Sequence, residues 1–106
     1  MSDINCEQAR AAHLALKEFF AAHSKGRLDR RALDDLQALC RAAEDAVPDL
    51  DCRRAIRSIE NYSALLSTDE AAPTRGADFI RLRVQNALAS YRSKLKAIEA
   101  GEALTL

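Results

Sequence analysis

A chain of 106 residues with 48% apolar and 30% charged side chains has the make-up of one globular domain and not of a disordered segment. Its 16 basic and 16 acidic residues cancel, which argues against bulk electrostatic attraction to nucleic acid or to an anionic membrane. Tryptophan is absent and aromatics are 5%, so the core must be built from Leu, Ile and Ala, a set that suits close-packed helices better than a sheet.

No apolar run approaches the roughly 20 residues needed to cross a bilayer. The N-terminus, MSDINCEQAR, has neither the basic start nor the apolar stretch of a signal peptide, so a cytoplasmic location without membrane association is expected. Three cysteines without close spacing fit reduced thiols rather than a disulfide framework.

Glycine and proline punctuate the chain at Gly26, Pro48, Pro73, Gly76 and Gly101, and each falls where a hydrophobic period stops or starts. The intervals predict four helices, at about 3–24, 29–47, 50–67 and 75–100. Asp3, Asp29, Asp49 and Thr74 are the expected N-caps, because a short side-chain oxygen can accept from the free N–H groups of a first turn. Gly26 and Gly101 suit the left-handed position just past a helix.

Projection at about 100° per residue gives each segment an apolar face. In the first, Ala12, Ala15, Leu16, Phe19 and His23 align, with Glu7, Arg10, Lys17 and Glu18 opposite. The second aligns Leu33, Leu36, Leu39, Cys40, Ala43 and Val47; the third, Cys52, Ala55, Ile56, Ile59, Tyr62 and Leu66. The fourth carries Ile80, Val84, Ala87, Leu88, Tyr91, Leu95 and Ile98. Four stripes joined by short connections predict an all-α, up-down-up-down four-helix bundle. The alternative is a three-helix core whose long fourth helix projects into a dimer. Residues 1–101 then form a single helical domain, 102–106 a flexible C-terminal tail, and STDEAAPTRG (67–76) the most mobile loop.

The stretch AAHSKG, residues 21–26, resembles in composition the signature of histidine phosphotransfer domains, which are helical bundles of about this size. That signature sets a solvent-facing histidine with a lysine three residues on and a glycine four on, all on one helix face. Here the lysine follows His23 by two residues and the glycine by three, so Lys25 projects to the other side of the helix and His23 falls in the apolar stripe. His23 therefore reads as a helix-end histidine buried over the core. His13, at the edge of the polar face with Lys17 four residues on, meets the physical requirement better. It is the alternative phosphoacceptor, and the histidine expected to be reached by water.

Cys6 and His13 lie about 10 Å apart along a helix, too far to share a metal ion. Cys40 and Cys52 read as core-filling thiols at unequal distances from the Pro48 turn, which disfavours a disulfide, and Cys6 as the accessible thiol. The acid pairs Asp34/Asp35, Glu44/Asp45 and Asp69/Glu70 diverge by about 100° on a helix and do not converge on a substrate. No Gly-rich phosphate loop, serine elbow or metal-ligand pair occurs, so no catalytic, metal or cofactor site is indicated.

The fourth segment is locally basic, with Arg81 and Arg92 on one flank of its stripe and Arg83 and Lys94 on the other. Phe79, Leu82, Leu14 and Leu65 lie off the apolar stripes, where each either meets a flanking helix or contributes to a patch for another chain. These features predict a small non-enzymatic helical interaction module, an adaptor, regulator or inhibitor of another protein. Phe79, Leu82, Arg81 and Arg92 are its candidate partner-binding residues, and a second copy of the chain is one form of partner. The alternatives are a phosphotransfer-type signalling module acting through His13 and a nucleic-acid-associated regulator acting through the basic fourth segment.

Overall fold

A computed structural model describes residues 6–24, 28–66 and 76–106. Four α-helices follow in order: α1 (Cys6–Ala22), α2 (Arg30–Ala46), α3 (Leu50–Leu65) and α4 (Gly76–Glu99). There is no strand among the described residues, and none of these helices is long and apolar enough to cross a membrane.

Local chemistry sets the helix ends. Asp29 accepts from the Ala32 amide (2.8 Å) and Asp49 from the Cys52 amide (2.9 Å), each satisfying one of the free donors of a first turn. Helix α2 stops at Ala46 because the ring of Pro48 pushes Val47 into extended backbone (φ −139°, ψ 106°). Helix α4 ends in a Schellman closure. Gly101 takes a left-handed φ of 108°, its amide donates to Ile98, and the Glu102 amide donates to Ala97, both at 3.0 Å. The expected caps Asp3 and Thr74, the turn at Gly26, and residues 67–75 of the expected mobile loop lie outside the described residues.

The four helices share one core. Each packs on two others, in the ring α1 with α2, α2 with α3, α3 with α4 and α4 with α1. All seven stripe residues of α4 are buried, including Tyr91 at 0% exposure. An α4 projecting away from a three-helix core is therefore not what the chain adopts. The apolar faces of α2 and α3 also match their periodicity. On α1 the buried arc is turned toward α4: Ala9 and Phe20 join Leu16 and Phe19 in the core, while Ala12 and Ala15 are half-buried. The particle measures 48 × 22 × 20 Å along its principal axes.

Residues 102–106, expected to be a flexible tail, lie back across the start of α3. The Leu50 amide donates to the Thr105 carbonyl (2.6 Å), and the Thr105 amide donates to the Asp49 carboxylate (2.5 Å). Leu104 packs on the core beside them. The tail docks because Gly101 reverses the chain and brings one apolar side chain and one backbone pair onto the free polar groups around Pro48.

Candidate functional site

Helices α1 and α4 pack side by side and leave a groove of about 230 Å³ between them. On α1, Arg10, Leu14 and Lys17 follow at intervals of four and three residues, which places them along one face. On α4, Arg92, Lys96 and Glu99 do the same. Leu95, nearly buried, and His13 close the floor. A second hollow of about 190 Å³ shares His13, Lys17 and Arg92 and continues toward Gln85 and Ala89.

The charge in this groove is one-sided. Among the described residues, four cations line it against a single carboxylate, Glu99, which Arg10 engages at 2.8 Å. Lys17, Arg92 and Lys96 have no carboxylate within salt-bridge distance among the described residues. The imidazole of His13 registers the same field. Burial between the helices pulls its pKa below the ordinary histidine value, and the charges of Arg92 and Lys17 pull it further, against a raising contact with the Leu88 carbonyl.

The two histidines differ from expectation. His13 is half-buried, its ring edge against Tyr91 (5.2 Å between centroids) and its Nε2 3.4 Å from the Leu88 carbonyl oxygen. His23 is also only half-buried, because α1 ends at Ala22 and the apolar stripe leaves the core there. Its ring stacks on Phe19 at 4.3 Å, and Nδ1 donates to the Phe19 carbonyl at 2.9 Å. Both rings sit half-buried at helix edges.

The four residues singled out for partner binding do not form one patch. Phe79 and Leu82, one helical turn apart, are 54% and 58% exposed, because among the described helices α4 packs on α1 and α3 and both side chains point elsewhere. Leu14 and Leu65 are about half exposed too, so the off-stripe apolar residues are not covered by flanking helices. Arg83 lies over the Phe79 ring at 4.8 Å. Arg81 donates to the His23 carbonyl at 2.7 Å and ties α4 to the end of α1. Lys94 is drawn into a carboxylate cluster with Asp49, Asp51 and Glu102. The basic residues of α4 thus divide among three tasks, and only Arg92 and Lys96 face the groove.

Cys40 and Cys52 are fully buried and unbridged, and Cys6 is half-buried. Burial first, and nearby carboxylates second, push both core thiols up to about 12, which removes them from thiolate chemistry at neutral pH. The Tyr91 hydroxyl sits among these thiols, buried and without a hydrogen-bond partner, and burial raises its pKa as well.

Sequence reasoning missed two features. One is the groove, whose signal was the Arg10/Leu14/Lys17 spacing. The other is the clasp around Asp49, a fully buried carboxylate. Burial alone would raise its pKa, but the Thr105 and Cys52 amides, with the Lys94 ammonium, hold it below the ordinary carboxylate value. Among the described residues no three His, Cys, Asp or Glu side chains gather as metal ligands would. No family model, curated protein or solved structure matches this chain.

Proposed function

We propose that the chain is an up-down-up-down four-helix bundle that works in the cytoplasm as a non-enzymatic protein-interaction module. Contacts between helix ends support the alternation. Arg10, early in α1, meets Glu99 at the end of α4; Arg81, early in α4, meets His23 just past α1. Leu28, ahead of α2, bonds to Leu66, just past α3 (3.4 Å).

The observation that carries the interaction reading is the Phe79 and Leu82 pair. Two large apolar side chains on one helix face, both more than half exposed, present apolar area that a partner surface would remove from water. Arg83 over the Phe79 ring gives that patch a cationic edge, a combination common where proteins meet. Against this, the phosphotransfer alternative has its His13 Nε2 turned to a backbone carbonyl. The nucleic-acid alternative has Arg81, Arg83 and Lys94 engaged within the chain, which interrupts a phosphate-tracking strip.

The test is affinity capture from the native host with the wild type and with the double variant Phe79→Ser, Leu82→Ser, alongside light scattering of both. A captured partner, or a homodimer, lost in the double variant supports the reading. The same partners recovered by both chains would remove Phe79 and Leu82 from the interface.

A further inference from the structure

We propose that the groove between α1 and α4 is a docking site for an acidic amphipathic helix of a partner protein. It is a separate surface from the Phe79 and Leu82 patch, which lies roughly three turns away along α4 from Arg92.

Charge complementarity selects the occupant. In a chain whose charges sum to zero, this groove gathers, among the described residues, Arg10, Lys17, Arg92 and Lys96 against Glu99 alone. Clustering cations on two packed helices is unfavourable for the isolated fold, since like charges on neighbouring elements repel. A burial role does not account for them, because Lys17, Arg92 and Lys96 are all exposed and make no ion pair among the described residues. An incoming acidic surface would relieve that repulsion.

The apolar content narrows the choice to a protein. Leu14, 53% exposed, stands at the α1 edge, and Leu95 closes the floor. A groove with an apolar floor, and with Leu14 set between Arg10 and Lys17 on one basic edge, matches a helix that carries an apolar stripe flanked by glutamates or aspartates. From Arg10 to Lys17 the α1 edge runs on the order of 10 Å, the length of about two helical turns, so one short helix fills it. Nucleic acid fits less well. The groove has no exposed aromatic ring on which a base could stack, its only ring being that of half-buried His13, and Glu99 sits in the path of a phosphate backbone. The chain's own C-terminal segment is not the occupant, since Thr105 holds it at Asp49.

The experiment is fluorescence anisotropy with the full chain at low salt. The probe is a labelled amphipathic peptide of about three helical turns with glutamates flanking a leucine stripe. The comparators are the same peptide with lysines for glutamates, and single-stranded and duplex DNA of similar charge. Saturable, salt-sensitive binding of the acidic peptide is expected, weakened about tenfold or more by Lys17→Glu with Arg92→Glu, as for two partly screened ion pairs lost and turned repulsive. The reversed chain should then favour the lysine peptide. Phe79→Ser with Leu82→Ser should leave this binding unchanged, which separates it from the reading above. Circular dichroism checks that the reversed chain keeps its helices. If it does not, Lys17→Gln alone provides the comparison, with a smaller loss expected. No binding of the acidic peptide, equal binding of the lysine peptide, tighter binding of either DNA, or indifference to the Lys17 and Arg92 variants would each overturn the proposal.

Discussion

Two regions at the same end of the molecule treat their charges in opposite ways. Around the start of α3, Lys94 is surrounded by Asp49, Asp51 and Glu102, and Thr105 donates its amide to one carboxylate and its hydroxyl to another. In the groove between α1 and α4, three cations have no acid within reach among the described residues. The first region is buried at its centre, where an unanswered charge would be expensive to desolvate. The second is exposed, where water answers the charge at little cost. Polar groups satisfied by their own chain belong to folding, and those left to solvent in a shaped groove are free for a partner. Each variant below tests whether that division holds.

The largest effect is expected at Asp49. Asp49→Ala removes the α3 cap and leaves the Cys52 and Thr105 amides without an acceptor, a loss of about 2–3 kcal/mol. Asp49→Asn keeps a capping oxygen and should lose less. Urea unfolding reads both. If Asp49→Ala cost under about 0.5 kcal/mol, as an ordinary surface change does, the clasp would have no structural role. Peptide binding in the groove should be indifferent to either variant.

Removing residues 102–106 comes next, at about 1–2 kcal/mol, since it strips the Thr105 backbone pair and the packing of Leu104 but leaves the Asp49 cap in place. Native-state hydrogen exchange gives the sharper readout. The Leu50 amide should lose its protection, while amides in the middle of α2 keep theirs. Unchanged exchange at Leu50 would mean that the tail does not hold that site in solution.

The pH profile should show two acid steps, each smaller than the truncation. His13 has a lowered pKa, so the unfolded chain takes up its proton first. Stability is full above the ordinary histidine value of about 6.5 and falls as pH drops below it. Asp49 also has a lowered pKa, so its contribution is full above about 3.9 and is lost as pH falls through the folded value. His13→Gln should erase the upper step and Asp49→Asn the lower. An upper step that survives His13→Gln would assign it elsewhere.

What could be read in advance follows the range of the interactions. The stripe of α4 and the caps Asp29 and Asp49 are written in residues close together in sequence, and the structure places them as periodicity and capping chemistry require. The arc of α1 is less legible, because Ala11, Ala12, Ala15, Ala21 and Ala22 spread near-equal hydrophobicity over about half the helix circumference and blur its centre. Neither the clasp nor the groove is local. Thr105 and Asp49 are 56 residues apart, and His13 and Leu88 are 75 apart. Their meeting depends on how far each helix turns about its axis. A rotation of about 40°, under half the ~100° between successive residues, turns Arg10 and Lys17 toward the α4 side, and the sequence pattern does not resolve an angle that small.

Reversing charge in the groove should barely touch folding. Lys17→Glu with Arg92→Glu is expected to change stability by no more than about 0.5 kcal/mol, with a slight gain from relieved repulsion, while it weakens peptide binding. A loss beyond about 1 kcal/mol would show that the cations serve the fold, and the division between clasp and groove would fail.

No loss at all is expected inside the core, where Tyr91 provides the counterexample that sharpens the rule. Its hydroxyl is unanswered like the groove cations, but it is fully buried, beside Cys40 and Cys52. Tyr91→Phe removes a desolvated group that makes no hydrogen bond and leaves a gap of a single oxygen. Stability should hold or rise by up to about 1 kcal/mol. A loss of that size would mean that the hydroxyl is bonded in solution, and the core thiols that act on it electrostatically are the acceptors to test. Combining Tyr91→Phe with Cys40→Ala and with Cys52→Ala in double-mutant cycles would test whether either sulfur is that acceptor, because a bonded pair is non-additive.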